Sequence, residues 1–242
     1  MLCKSESIVL RSIKYGEQRL IVDMFTRSHG RLAFGVPLPK STKGRLKKQY
    51  FQPLTLLTTE CDVRPEQQLQ KLREASLLAP LSSLQQEPAK LALALFTAEF
   101  LYHALKGEQH NEPLFDYLRS SIEWLDGTTG GFANFHLVLL MRVSRFLGFY
   151  PNVASASPTD YFDLRGACFC SVPPPHHDYL MPQEAAHIGL LMRMDYPSMH
   201  LFRLSRSQRN RILELLLLFY RLHLPDFPEL RSVAVLHDLF SD

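Results

Sequence analysis

The segment Lys40-Ser-Thr-Lys43-Gly-Arg45-Leu-Lys47-Lys48 carries five cationic side chains in nine residues and no acidic one. It lies between two apolar segments with strand-like composition, residues 31–38 and 51–59. Prolines and a glycine in and beside it oppose a helix, so the sequence predicts a loop between two strands. Cations on such a loop can neutralise nucleic-acid phosphates and release their counterions, although a solvated connector would have the same composition. The neighbouring segments bear on the choice between these interpretations.

Five short segments around this loop have the composition of β-strands. Residues 7–13 and 20–25 are apolar and rich in β-branched side chains, and residues 14–17 form a turn between them, as in a hairpin. Further strands are predicted at residues 31–36, 54–63 and 69–77. Five strands with a long loop before the fourth are typical of a small closed barrel such as the OB-fold.

Beyond residue 80 the apolar spacing becomes that of helices. Predicted helices cover residues 89–105 after Pro88, residues 113–125, residues 132–147, residues 205–223 from a capping box, and residues 229–239. Residues 161–172 are interpreted as a hairpin within a proline-rich insertion. The sequence therefore predicts an α+β protein of two domains. Residues 1–80 are an OB-fold barrel, and residues 81–242 a helical domain with an insertion at about residues 152–180.

Charge is distributed unevenly between these two parts. Residues 1–50 hold 11 Lys and Arg against 3 Asp and Glu, whereas the rest of the chain holds 16 against 21. A basic amino-terminal part beside a mildly acidic remainder indicates a polyanion-binding module joined to a part with other partners. The first residues do not resemble a signal peptide, and four cysteines do not form a disulfide scaffold, so we expect a cytoplasmic protein.

Motifs of catalysis are missing from the sequence. It has no Gly-x-Ser-x-Gly elbow, Walker loop or His-Glu-x-x-His motif, so we predict that the protein is not an enzyme. Cys168 and Cys170 are separated by one residue, whereas structural zinc needs two pairs spaced two to four apart. We predict no metal, and a site formed by Cys168, Cys170, His176 and His177 remains the alternative.

Aromatic residues accompany the cations of the predicted barrel. Phe25 and Phe34 lie in strand interiors and are expected to be buried, whereas Tyr15 and Tyr50 lie at strand ends, where bases can stack on them. The predicted nucleic-acid-binding residues are Lys14, Tyr15, Arg19, Arg31, Lys40, Lys43, Arg45, Lys47, Lys48 and Tyr50.

Three arginines of the predicted helices form a second candidate site. Arg142 and Arg145 are three residues apart and can share a helix face, and Arg119 lies on an earlier helix. They can be a solvated surface, or they can rim an apolar groove that binds the acidic carboxyl end of a peptide.

Several stretches together resemble the RecO family of bacterial recombination mediators, most closely its Bacteroidetes-type branch. The resemblance spans nearly the whole chain. It is carried by residues 8–17, Phe25-Thr26, His29-Gly30-Arg31, Gln52-Pro53-Leu54, Glu74-Ala75, Asn111, Leu114-Phe115, residues 142–149, Tyr220, His223-Leu224 and residues 232–236.

The resemblance implies a function in DNA repair and recombination through the RecF pathway. Family members bind single- and double-stranded DNA, anneal complementary strands, and bind the acidic tail of the single-strand-binding protein SSB. With RecR they help RecA to displace SSB. On this reading Arg119, Arg142 and Arg145 would bind the SSB tail. The protein would be associated with the nucleoid during repair and would need no cofactor.

One feature departs from the family. Many members carry two Cys-x-x-Cys knuckles after the position of Phe149, whereas this chain has only Cys168 and Cys170 there. The departure leads us to expect that zinc has been lost. From the residues alone, a generic OB-fold RNA-binding or translation-associated factor remains an alternative, as does a protein-docking scaffold.

Combined replacement of Lys43, Arg45, Lys47 and Lys48 by Ala tests the loop. We expect weaker DNA binding, and the slope of log affinity against log salt concentration should fall by roughly one unit per lost phosphate contact. Binding titrations at several salt concentrations measure this slope. An unchanged slope would show that the loop is not a DNA site.

Overall fold

The computed structural model describes residues 2–37, 46–64, 66–152 and 157–238. The chain forms two compact units. The first comprises Met1–Gly127 and Leu230–Leu236, and the second comprises Thr128–Glu229 and His237–Asp242. Each unit is described by itself below.

Five strands of the first unit close into a barrel. They are β1 (Leu2–Tyr15), β2 (Arg19–Thr26), β3 (Gly30–Pro37), β4 (Leu56–Asp62) and β5 (Leu69–Leu77). The strand order is β1-β2-β3-β5-β4, with β1 and β4 closing the barrel, and only the β3–β5 pair is parallel. This OB-like topology confirms the predicted fold.

Strand β1 is longer than predicted because it pairs with two neighbours. Its residues 7–15 pair with β2, and its residues 2–8 pair with β4. A register shift between Val9 and Arg11 lies just beyond the stretch shared by both partners. Bulges of this kind bend a strand and increase its twist, which lets one strand serve both sides of a closed barrel.

Side chains along the strands point alternately into and out of the barrel, so the buried ones belong to two cores, one inside the barrel and one outside it. Phe34 points into the barrel and packs there with Val22, Met24 and Phe51, the last from a short 3-10 helix (Lys48–Phe51). Phe25 is also fully buried, as predicted, but it points outward. Its ring centroid lies 6.0 Å from that of Phe115, which belongs to a helix packed outside the barrel.

Three helices of the first unit follow the barrel: α1 (Ser82–Gln86), α2 (Pro88–Ala104) and α3 (Glu112–Gly127). Pro88 is at the first turn of α2, as predicted, whereas the five residues of α1 are too few for a periodic pattern. The later segment Leu230–Leu236 returns to this unit, where the backbone amides of Arg231 and Ser232 donate to Glu99 on α2.

The barrel and the helices of the first unit meet at the turn before β3. The backbone amide of Arg31 donates to the carbonyl oxygen of Glu108 over 3.1 Å. Gly30 has a φ of +69°, and a Cβ atom added there would lie 2.4 Å from the backbone of Gln109. Glycine therefore allows this approach in two ways, through its backbone conformation and through its missing side chain.

The second unit contains α4 (Phe135–Phe146), α5 (Pro182–Arg193), α6 (Arg206–His223) and a three-stranded sheet. In that sheet β6 (Tyr161–Asp163) lies between β7 (Cys168–Cys170) and β8 (Tyr179–Leu180). The predicted hairpin and the capping box of α6 are confirmed, whereas β8 and α5 were not predicted.

The last helix, α7 (Val233–His237), is shorter than expected.

The predicted domain limit at residue 80 marks the change from strands to helices and stays a prediction. In the structure, α1, α2 and α3 group with the barrel. Among the described helices, none combines the length and apolar character needed to cross a bilayer.

Substitution of Gly30 by Ala should lower the free energy of unfolding by at least about 2 kcal/mol, because a left-handed backbone and a backbone clash add together. Two controls separate these causes. Gly16 has a φ of +63° and open space around it, so Gly16→Ala should cost only about 1 kcal/mol. Gly35 has neither a left-handed backbone nor a close neighbour, so Gly35→Ala should leave the free energy of unfolding unchanged. Urea denaturation measures all three variants, and equal costs for Gly16→Ala and Gly30→Ala would contradict the clash.

Candidate nucleic-acid interface

The strand register assembles an exposed surface on the outside of the barrel. Residues directly opposite each other in an antiparallel pair share one face of the sheet, and residues two apart on one strand do so as well. Tyr15 lies opposite Arg19, Ile13 opposite Ile21, and Ile21 opposite Gly35. We call this surface the open face, formed by Arg11, Ile13, Tyr15, Arg19, Ile21, Gly35 and Lys71.

The open face combines an aromatic ring, apolar side chains and cations. Tyr15 is 62% exposed and Ile13 is 37% exposed, although both are large hydrophobic residues on a strand. Arg19 is exposed beside Tyr15, and Lys14 is exposed in the same hairpin. Rings beside cations are the groups with which OB-folds hold single strands, since bases stack and phosphates pair with charge.

Gly35 leaves the middle of the open face bare. Apart from Gly35 itself and its two chain neighbours, no heavy atom of the described residues lies within 4 Å of a Cβ built there. On β5, Lys71 lies opposite Gly35 and is exposed. The surface between Ile21 and Lys71 is therefore backbone, over which a planar group can lie flat.

Two cations of the open face, Arg11 and Lys71, were missed in the sequence analysis. Arg11 shares its face with Ile13 and Tyr15 through simple alternation, so the residue spacing of β1 could have found it. Its guanidinium carbon lies 4.8 Å from the ring centroid of Tyr102 on α2. Stacking on an aromatic ring fixes a guanidinium without using its hydrogen-bond donors. Lys71 could not be assigned to this surface from the sequence, because its position there depends on the parallel pairing of β5 with β3.

The electrostatic environment near Tyr102 is cationic. Burial lowers the pKa of His103, and the positive charges of Arg31, Arg11 and Lys106 add to this effect, against the opposing influence of Glu99. His103 therefore stays neutral at pH 7. This edge of the open face suits an anion.

The structure assigns Arg31 to a different role from the predicted one. Its side chain is only 14% exposed, its guanidinium pairs with Asp23, and it donates to the carbonyl oxygen of Tyr102. Its guanidinium carbon also lies 4.1 Å from the centroid of the Tyr102 ring. Arg31 thus joins the barrel to α2, and its donors are used within the protein.

The other predicted cations lie elsewhere. Lys47 is near the ring of Tyr50, with its Nζ atom 5.7 Å from the centroid, and Tyr50 is half-buried against the barrel core. Lys48 is exposed on the same 3-10 helix. These three residues lie on or just before the 3-10 helix whose Phe51 packs in the barrel core. Lys40, Lys43 and Arg45 lie outside the described residues.

Arg119 is held by ion pairs within the first unit. It contacts Glu123 over 2.9 Å and Glu6 over 3.1 Å, and the hydrogen bond with Glu123 raises its pKa. Glu6 is also shared with Arg27, whose guanidinium pairs with Glu112. This network joins β1 to α3, so Arg119 is part of the packing between barrel and helix.

Arg142 and Arg145 differ although they lie on one helix of the second unit. The Arg142 guanidinium donates to the carbonyl oxygens of Met192 and Met194, over 3.4 and 3.0 Å. It therefore satisfies carbonyl groups at the end of α5, where a cation also favours the helix dipole. Arg145 is exposed and has no hydrogen bond or ion pair with the described residues.

The cysteine pair of the second unit lies in the small sheet. The Sγ atom of Cys170 donates to the carbonyl oxygen of Tyr161 over 3.8 Å, and the Nε2 atom of His176 lies 3.3 Å from Asp163. Within the described ranges, no group of three or more His, Cys, Asp or Glu side chains could hold a metal ion. The absence of zinc stays a prediction.

Comparison with known proteins gives matches along nearly the whole chain. Residues 1–81 match the family described as Recombination protein O N terminal, and residues 85–232 match Recombination protein O C terminal. The DNA repair protein RecO of Phocaeicola vulgatus is 49% identical over 241 residues, which cover 100% of both chains. That of Bacteroides fragilis (strain ATCC 25285) is 49% identical over 241 residues, 99% of this chain and 100% of its own. That of Flavobacterium psychrophilum is 31% identical over 244 residues and covers 100% of both chains.

Proposed function

The chain belongs to the RecO family of DNA repair proteins, and we propose that it is a non-enzymatic mediator that binds DNA through the open face of its barrel. The observation that carries this proposal is the alignment of Tyr15, Ile13, Gly35 and three cations on one exposed surface. Strands β1, β2, β3 and β5 contribute these residues, and their pairing in the barrel fixes the order of the contacts.

Bases and phosphates would use different parts of the open face. A base stacks on Tyr15 or lies against Ile13 and Gly35, because every base has a π-face and stacking tolerates any sequence. Phosphates pair with Arg11, Arg19 and Lys71, and the cations of residues 40–48 extend this contact by charge alone. Duplex DNA would be bound mainly through its phosphates.

This division of contacts supports strand annealing. Stacking occupies the π-face of a base, and the cations occupy its phosphate, so the Watson–Crick edge has no partner on the protein. A strand held in this way can pair with a complementary strand without first leaving the protein. No bond is made or broken in the process, so catalysis is not required.

Protein partners would bind outside the open face. We assign the SSB tail to the second unit, where Arg145 offers free donors to a carboxylate, and we leave Arg119 and Arg142 out of that site because internal contacts use them. RecR, RecF and RecA belong to the same proposed pathway. No described residue is assigned to them.

Single-stranded DNA binding should depend on the open face. We expect Tyr15→Ala to weaken the binding of an oligo-dT strand by about 5- to 150-fold, from a loss of roughly 1–3 kcal/mol per stacked base. Arg11→Ala and Lys71→Ala should each lower the salt slope by about 0.7 units. Fluorescence anisotropy at several salt concentrations measures both quantities.

Two controls accompany this experiment. Arg193→Ala removes an exposed cation of the second unit and should leave affinity and slope unchanged. An oligo-U strand of equal length tests the RNA alternative. Wild-type affinity in folded Tyr15→Ala together with an unchanged slope in Arg11→Ala would refute the open face, and tighter binding of RNA would favour the alternative function.

Binding of the SSB tail should depend on Arg145. Charge reversal in Arg145→Glu should weaken binding of an acidic peptide with a free hydrophobic carboxyl end by tenfold or more, because a charged hydrogen bond contributes roughly 1.5–3 kcal/mol. Isothermal titration calorimetry measures the affinity, with Arg193→Glu as the matched control. Tail binding that survives Arg145→Glu in a folded protein would place the site elsewhere.

A further inference from the structure

Two of the four cysteines face each other across the seam that closes the barrel. Cys3 on β1 lies directly opposite Cys61 on β4 in an antiparallel pair. Both are free thiols, Cys61 is 1% exposed in the barrel core, and Cys3 packs against the same core while remaining half-exposed. Opposite residues share a face, so both side chains lie on the inner side of the seam.

The spacing of these two positions suits a disulfide. Opposite residues of an antiparallel pair have Cα atoms about 4.5 or 5.5 Å apart, and disulfides span about 4.4–6.8 Å between Cα atoms. Cβ atoms of such pairs are about 4.5–5.5 Å apart, against about 3.5–4.5 Å in a disulfide. The strands need to approach by no more than about 1 Å, and a bond formed under such strain is readily reduced.

Cys3 has the surroundings of the thiol that reacts first. Its Sγ atom lies 3.9 Å from the Nδ1 atom of His29 and 3.7 Å from the Oγ atom of Ser28. An imidazole nitrogen can accept the thiol proton, and solvent can reach the sulfur. Cys61 is different, because burial raises its pKa to about 11, with a further contribution from the charge of Cys3.

We propose that Cys3 and Cys61 are a redox modification site at which a peroxide forms a reversible disulfide across the β1–β4 seam. Hydrogen peroxide transfers one oxygen atom to the Cys3 sulfur, which becomes a sulfenic acid, and the other oxygen atom leaves as water. The Cys61 sulfur then attacks the Cys3 sulfur, the S–O bond breaks, and the hydroxyl group leaves as water with the Cys61 proton. Two thiols lose two electrons in total, and the peroxide gains them.

The bond would fasten the amino-terminal end of β1. Residues 2–6 of β1 pair only with β4, residues 7 and 8 pair with both neighbours, and residues 9–15 pair only with β2. A strand end with one neighbour opens more easily than the rest of a sheet. The disulfide would hold this end closed while leaving the open face, at the far end of β1, untouched.

The test uses the full-length protein with Cys168→Ser and Cys170→Ser, so that Cys3 and Cys61 are its only thiols. Treatment with a small excess of hydrogen peroxide should yield a monomer lighter by two hydrogen atoms. Peptide mapping should then find the Cys3 and Cys61 peptides joined. The melting temperature should rise by several degrees, and dithiothreitol should reverse both changes. Cys3→Ala in the same background should abolish all of these effects.

Three results would overturn the proposal. They are further oxidation of Cys3 to sulfinic acid with Cys61 still a free thiol, a bond between two chains through Cys3, and loss of two hydrogen atoms in the Cys3→Ala variant. Peptide mapping of the oxidised wild-type protein repeats the measurement without any substitution.

Discussion

The packing of helices α2 and α3 against the outside of the barrel is the constraint on which the first unit depends. It buries Phe25 against Phe115, which by itself stabilises the folded state by about 1.5–3 kcal/mol. It also needs Gly30, because any side chain there would meet the backbone of Gln109. One half of the outer face of β1, β2 and β3 is thereby used for folding. The other half carries the exposed residues of the open face, and Arg11 marks the border between them.

The same constraint separates cations that look alike in the sequence. Arg19 and Arg31 both lie at the end of a strand, next to aromatic or apolar residues. Arg31 lies beneath Tyr102 with Asp23 beside it, so its charge is neutralised and its donors are used. Arg19 lies beyond the helices and stays in water. A buried ion pair requires both partners, whereas an exposed guanidinium keeps its donors for a ligand.

Side-chain contacts order the small sheet of the second unit. The carboxylate of Asp163 accepts hydrogen bonds from the backbone amides of Arg165 and Gly166 and also faces His176. Arg165 in turn pairs with Asp178 over 2.7 Å. These contacts order the hairpin turn and the proline-rich segment after it.

The sequence by itself determined the barrel, most of the longer helices and the capping box of α6, because each follows from the local spacing of residue types. It also determined the RecO family, because the resemblance extends along the whole chain. It also placed Tyr15 and Arg19 at an exposed strand end. Only the tertiary structure decided which arginines remain free, since Arg31 and Arg142 are engaged by residues distant in sequence. It likewise revealed Lys71 and the Cys3–Cys61 pair, because their neighbours are set by strand register. The alternation of side chains along a strand predicts which face of the sheet each one occupies. Its neighbours on that face depend on how strands distant in sequence pair, which only the structure shows.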